Sequence, residues 1–199
     1  YLPSPENRAP VKAKKIEDNT EITLSANNGE VASALVFKTV ADPYAGKLTL
    51  FRMFSGAIKG DSSIYNTSKN VSERIGQLYM LQGKSQVSVS EISAGDIGTV
   101  AKLKQTITGD TFSSSNEKVI FPSIIFPLPV FSRALLPKTR ADEEKISHAL
   151  QRLTEEDPTL KVERNSQTGE LLISGLGQVH FDVSLERLKA RFGVEVDVK

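Results

Sequence analysis

The chain contains no cysteine. Disulfides, iron–sulfur clusters and thiolate metal sites are therefore excluded. No apolar run is long enough to span a bilayer, and the polar, proline-bearing opening Tyr1-Leu2-Pro3-Ser4-Pro5-Glu6 is no signal peptide. Together these absences favour the cytoplasm. There is also no excess of charge of one sign, with 25 Lys+Arg against 24 Asp+Glu. Residues 1–128 carry 14 basic against 12 acidic side chains, and residues 129–199 carry 11 against 12. A free-standing nucleic-acid binder usually has a stronger basic bias. Any RNA contact must be local, or must rely on a larger assembly.

Complete catalytic motifs are missing as well. Gly83-Lys84-Ser85 supplies the second half of a phosphate-binding P-loop, but Leu78 stands where the loop needs its first glycine. The triplet reads as a hairpin turn. Gly175-Leu176-Gly177 follows a predicted strand and opens a predicted helix, yet His180 occupies the third glycine position of a dinucleotide fingerprint. Tight strand–helix packing is the better reading. His148 and His180 fall on different predicted helices, and no His/carboxylate cluster has metal-ligand spacing. Glu155-Glu156-Asp157 reads as a solvated helix end, and no nucleophile elbow occurs. Asn66-Thr67-Ser68 and Asn70-Val71-Ser72 fit the glycosylation pattern but read as hairpin-tip residues.

What is present is a globular chain of 199 residues, long enough for two domains. Residues 1–30, with three prolines and Lys12-Ala13-Lys14-Lys15, read as a leader or linker. Residues 31–118 hold short β-rich runs separated by glycine loops. Strands are predicted at 34–40, 47–54, 63–66, 73–81, 85–90 and 97–103, which argues for an antiparallel barrel or sandwich. Thr111–Lys118 reads as a polar connector. Residues 119–129 form a second linker, in which Pro122, Pro127 and Pro129 exclude helix. Residues 130–199 show the order β-α-β-β-α-β of the split βαβ, ferredoxin-like plan. Thr139 and Asp142 resemble a capping box, Ile146, Ala149, Leu150 and Leu153 share one helix face, and Pro158 ends that helix. Phe181, Leu185, Leu188 and Phe192 line a second helix. Its sheet lacks the strand aromatics of an RNA-recognition motif, and Leu136-Pro137-Lys138-Thr139-Arg140 only partly matches the anion loop of an acylphosphatase-like enzyme.

Several blocks, in order, resemble the translational GTPase elongation factor G. Phe37-Lys38-Thr39-Val40-Ala41-Asp42-Pro43-Tyr44-Ala45-Gly46, Arg52-Met53-Phe54-Ser55-Gly56, Val71-Ser72-Glu73-Arg74-Ile75-Gly76, Ala94-Gly95-Asp96-Ile97-Gly98 and Thr106-Ile107-Thr108-Gly109-Asp110-Thr111 are similar to its second domain. Pro137–Lys145, Leu153–Leu160 and Ile173–His180 resemble its third, and Leu2-Pro3-Ser4-Pro5 resembles the exit from its GTPase domain.

The resemblance implies a translation-factor β-barrel touching small-subunit ribosomal RNA, then a ferredoxin-like domain touching a small-subunit protein and relaying nucleotide state. GTP and Mg are expected in a GTPase domain outside this chain, with no catalytic residue, metal or cofactor of its own. Further C-terminal domains of the same protein are expected partners, and no membrane is. By motif, Pro127, Pro129, Thr159, His180 and Arg187 match positions facing the GTPase switch. Arg52, Lys59, Arg74 and Lys84 are candidate RNA phosphate contacts from the barrel. Gln178 and Ser184 depart from the family pattern. A translocase, a paralogue in recycling, rescue or ribosomal protection, and a stand-alone RNA-binding adaptor all remain open.

Overall fold

β-branched and aromatic residues bounded by Gly, Asp and Asn turns dictate short strands through most of the chain. A computed structural model describes residues 3–42, 46–83 and 85–199. The chain divides into two compact units, Tyr1–Ile124 and Ile125–Lys199.

The first unit contains β1 (Val11–Lys15), β2 (Glu21–Leu24), β3 (Ser33–Asp42), β4 (Gly46–Ser55), β5 (Ala57–Lys59), β6 (Ser63–Asn66) and β7 (Val71–Arg74). It continues with β8 (Leu78–Gln82), β9 (Ser85–Val89), β10 (Glu91–Ser93), β11 (Ile97–Ala101), β12 (Thr111–Ser113) and β13 (Val119–Ile120). An antiparallel sheet runs β7-β6-β12-β3-β4-β11-β8-β9, and β5 pairs separately with β10. Phe51 and Met53 of β4 point into the core with Val36, Leu78, Val100 and Phe112. The Phe51 and Phe112 rings meet edge-on at 5.7 Å. Ile64 and Leu78 lie towards opposite ends of the strand order yet share this core, so the sheet wraps around it as a β-barrel.

Four segments differ from the sequence expectation. β1 pairs with β2 and, through Lys14–Ile120 and Lys15–Val119, with β13. Residues of the expected leader and linker thus build a third sheet. Its small core of Ala13, Leu24, Val119 and Phe121 packs on Leu35 and Phe54, the outward side of β3 and β4. The expected connector at 111–118 begins with β12, which lies between β6 and β3. Its polar side chains are tolerated inside because they are paired, as in the 2.7 Å Thr67–Ser113 hydroxyl contact. The strand expected at 73–81 is interrupted at 75–77, where Ile75 instead donates its amide to the Ser62 carbonyl at 2.8 Å. Asn66, one of the two glycosylation-pattern residues, is fully buried and donates to Asp110 at 2.9 Å.

The second unit contains β14 (Phe131–Pro137), α1 (Arg140–Glu156), β15 (Lys161–Arg164), β16 (Leu171–Gly175), α2 (Gln178–Phe192) and β17 (Val196–Val198). The order β15-β16-β14-β17, antiparallel throughout, is ferredoxin-like. Thr139 caps α1: its Oγ1 accepts the Asp142 amide and its own amide reaches Asp142 Oδ2, each at 3.1 Å. Ile146, Ala149, Leu150 and Leu153 of α1 pack with Phe181 and Leu188 of α2 against Leu135 and Ile173. Among the described residues no helix is long and apolar enough to cross a membrane.

Candidate functional site

A polar cluster of the second unit joins the end of α1 to the start of α2. Pro158 stops α1 because the residue before a proline is pushed out of the helical region, and Asp157 duly becomes an extended C-cap. That geometry turns its carboxylate back on the chain. Asp157 Oδ1 accepts the Thr159 amide at 2.9 Å and the Thr159 hydroxyl at 2.5 Å. Asp157 Oδ2 lies 3.0 Å from His180 Nε2. On the other side of the ring, His180 Nδ1 accepts the Leu176 amide at 3.1 Å. An accepting Nδ1 requires the proton on Nε2, so the neutral imidazole donates to Asp157. Burial opposes the charge on Asp157, but the Thr159 hydroxyl and amide and the His180 ring outweigh it and hold the carboxyl below its ordinary range.

The cluster thus unites Thr159 with His180, and adds Asp157, which was expected to be part of a solvated helix end but is half-buried and bonded through both oxygens. Gly175, not Gly177, is the glycine that admits the ring: a Cβ there would meet His180 Nδ1 at 3.0 Å, while Gly177 has nothing within 4 Å. Val130 donates its amide to the Gly175 carbonyl at 3.0 Å, which brings the irregular segment carrying Pro127 and Pro129 to the same loop. Pro127 is exposed and Pro129 half-buried. Arg187 is exposed about 10 Å further along α2, at seven residues of helical rise, and stands outside the cluster. Val130 is 82% exposed and Val179, in the first turn of α2, is 77% exposed. The Gly175–Gly177 loop is therefore bordered by apolar surface.

Among the described residues, the candidate cations Arg52, Lys59 and Arg74 are not gathered into one site. Arg52 is half-buried on β4, with its Cζ 5.8 Å from the Phe54 ring centroid and its Nε buried without a hydrogen-bond partner. It lines a cleft with Arg8 and Pro5 rather than standing on open surface. Lys59 is exposed and reaches Glu91 across β5–β10 at 3.9 Å. Arg74 is exposed at the end of β7. Lys84 lies outside the described residues. Gly83, at φ 61°, sits in the turn joining β8 and β9, where no helix follows to complete a phosphate loop. Among the described residues no group of three or more His, Asp or Glu could hold a metal ion.

The model of the family described as Elongation factor G domain 2 matches residues 31–115, and that of Elongation Factor G, domain III matches residues 126–199. The chain belongs to the elongation factor G family. The domain III match coincides within one residue with the second compact unit. A crystal structure of a protein from Thermus thermophilus is similar, at 35% sequence identity and a TM-score of 0.77. The similarity covers 85% of this chain and 26% of that one, so the chain spans about a quarter of that relative. Within the domain III match, the two residues expected to depart from the family pattern are accommodated locally. Gln178 is exposed at the start of α2, and buried Ser184 donates its hydroxyl to the His180 carbonyl at 2.7 Å.

Proposed function

We propose that this chain is the ribosome-binding and signal-relaying part of a translational GTPase that drives movement of tRNA and messenger RNA. The observation that carries this reading is the end of domain III: a hydrogen-bonded Thr159–Asp157–His180 lock, bordered by the exposed apolar side chains Val130 and Val179. A rigid polar lock beneath an apolar rim suits a protein partner whose motion must be transmitted rather than absorbed. That partner is the GTPase domain of the same protein, with its GTP and Mg. The chain itself neither binds nor hydrolyses GTP, and domain 2 meets small-subunit ribosomal RNA.

The test is single-round translocation on ribosomes with the full-length parent and GTP, beside its Val179→Asp variant. Rapid messenger RNA movement that the variant slows at least tenfold supports the relay. GTP hydrolysis without movement assigns the parent to recycling, rescue or ribosomal protection instead. No ribosome-dependent activity at all overturns the reading in favour of an adaptor.

A further inference from the structure

Domain 2 carries a second basic feature that the family match does not assign. A cleft of about 430 Å³ is lined by Arg74, Gln77, Tyr79, Gln86 and Lys102. Among the described residues no carboxylate lines it, and neither Arg74 nor Lys102 has an ion-pair partner. Tyr79 is held in register opposite Thr99 of β11, and the Gln77 amide nitrogen donates to the Leu78 and Val89 carbonyls, each at 3.0 Å. The strand backbone at Tyr79 and the Gln77 side chain are therefore fixed before any ligand arrives.

Lys102 is the unusual member. Among the described residues four non-glycine positions have positive φ: Asn19, Asp61, Asn70 and Lys102. Asn and Asp tolerate the left-handed region because their short side chains bond locally, whereas a lysine there is strained. Lys102, at φ 64°, donates its amide N–H to the Lys47 carbonyl at 2.8 Å. Glycine would satisfy this turn at lower cost, so the strain maintains a cation at the cleft.

We propose that this cleft holds one unstacked nucleotide of single-stranded RNA. The Tyr79 ring supplies a stacking face, Arg74 and Lys102 neutralise the flanking phosphates, and the Gln77 side-chain oxygen and the Gln86 amide read the base edge. The volume lies within the ordinary range for a ligand pocket, about 300–1,000 Å³. The proposal rests on the reading of domain 2 as an RNA-facing barrel, and names the residues that make the contact.

The experiment titrates the 199-residue chain into fluorescein-labelled single-stranded RNA, by anisotropy over a salt series, with unlabelled duplex RNA as competitor. Tyr79→Ala weakens binding about tenfold. Lys102→Gly weakens it severalfold, flattens the logarithmic salt slope by about 0.7, and leaves the thermal midpoint unchanged or higher, because glycine relieves the backbone. Duplex RNA competes poorly. Unchanged affinity and salt slope in Lys102→Gly, or equal binding of duplex, overturns the proposal. Should the parent translocate while its Tyr79→Ala and Lys102→Gly variants bind RNA and ribosomes normally, the cleft assignment falls and the proposed function stands. Should the chain bind RNA through these residues while the parent shows no ribosome activity, the reverse holds.

Discussion

Asp157 Oδ2 accepts a hydrogen bond from His180 Nε2 at 3.0 Å, across 23 residues of sequence. The bond ties the residue that ends one helix to the first turn of the other, and Thr159 fills the remaining carboxylate oxygen. Truncating Asp157 strands a half-buried ring donor and the Thr159 amide together. Asp157→Ala is expected to cost about 2 kcal/mol, the usual range for bonds to a charged group. His180→Ala should cost less, and the double variant little more than Asp157→Ala alone, because the residues act as a unit. Urea unfolding monitored by helical circular dichroism measures all three; strictly additive losses would separate the residues.

Acid should release the same lock. The Asp157 carboxyl is held below its ordinary range in the folded chain, against the opposing effect of burial, by Thr159 and His180. A depressed folded value means that the carboxylate contributes stability above its unfolded pKa of about 3.9, and that this is lost as pH falls through the folded value. Asp142, lowered by the Thr139 hydroxyl and the Glu195 amide, acts in the same direction. Lys189, raised by Glu195, acts oppositely: its contribution is complete below about pH 10 and fades as pH rises through its folded value. Stability should be flat near neutrality and fall below about pH 4, and Asp157→Asn should flatten the acid limb. Thermal melts of both proteins between neutral and acid pH check this.

In the barrel, Glu73 performs the comparable service for a loop. Glu73 is 8% exposed, and its carboxylate accepts three successive amides, Lys104 at 2.6 Å, Gln105 at 2.8 Å and Thr106 at 3.1 Å, as well as the Thr106 hydroxyl. Removing it leaves the buried Thr106 amide and hydroxyl and the part-buried Lys104 and Gln105 amides unmet. Glu73→Ala is expected to cost about 3 kcal/mol or more, and Glu73→Gln, which keeps one acceptor, somewhat less. Amide exchange at 104–106 should accelerate in both variants; unchanged protection there would refute the role.

Much of the second domain was legible because its signals are local. Thr139 with Asp142, the Ile146–Leu153 face and Pro158 together specify one helix, and the observed α1 ends where Asp157 precedes the proline. The sheet containing β1 and β13 was not legible, because its pairing spans about a hundred residues and β13 is two residues long. The alternation of Val11 and Ala13 with Lys12 and Lys14 was a strand signal, but the lysines made it read as a charged leader. At the candidate site, Thr159 and His180 were reached through resemblance alone. Asp157 was recoverable from Asp157-Pro158-Thr159, since an aspartate two residues ahead of a free amide favours an Asx turn. Its bond to His180 had no local signature.

Two glycines separate conformational from steric demand. Gly56 and Gly109 both have positive φ, 63° and 96°. A Cβ on Gly109 would have nothing within 4 Å, whereas one on Gly56 would lie 2.5 Å from the Ala32 Cα and 2.7 Å from the Glu30 carbonyl oxygen. Gly109→Ala therefore meets only the left-handed backbone penalty, about 1–2 kcal/mol. Gly56→Ala adds a clash with backbone that cannot rotate away, in a turn tied by its amide to the Asn27 carbonyl at 2.8 Å. It should destabilise the barrel well beyond Gly109→Ala, by roughly a further 2 kcal/mol. Equal melting temperatures for the two variants would mean that residues 27–32 yield freely, and that their contacts with the barrel contribute little to its stability.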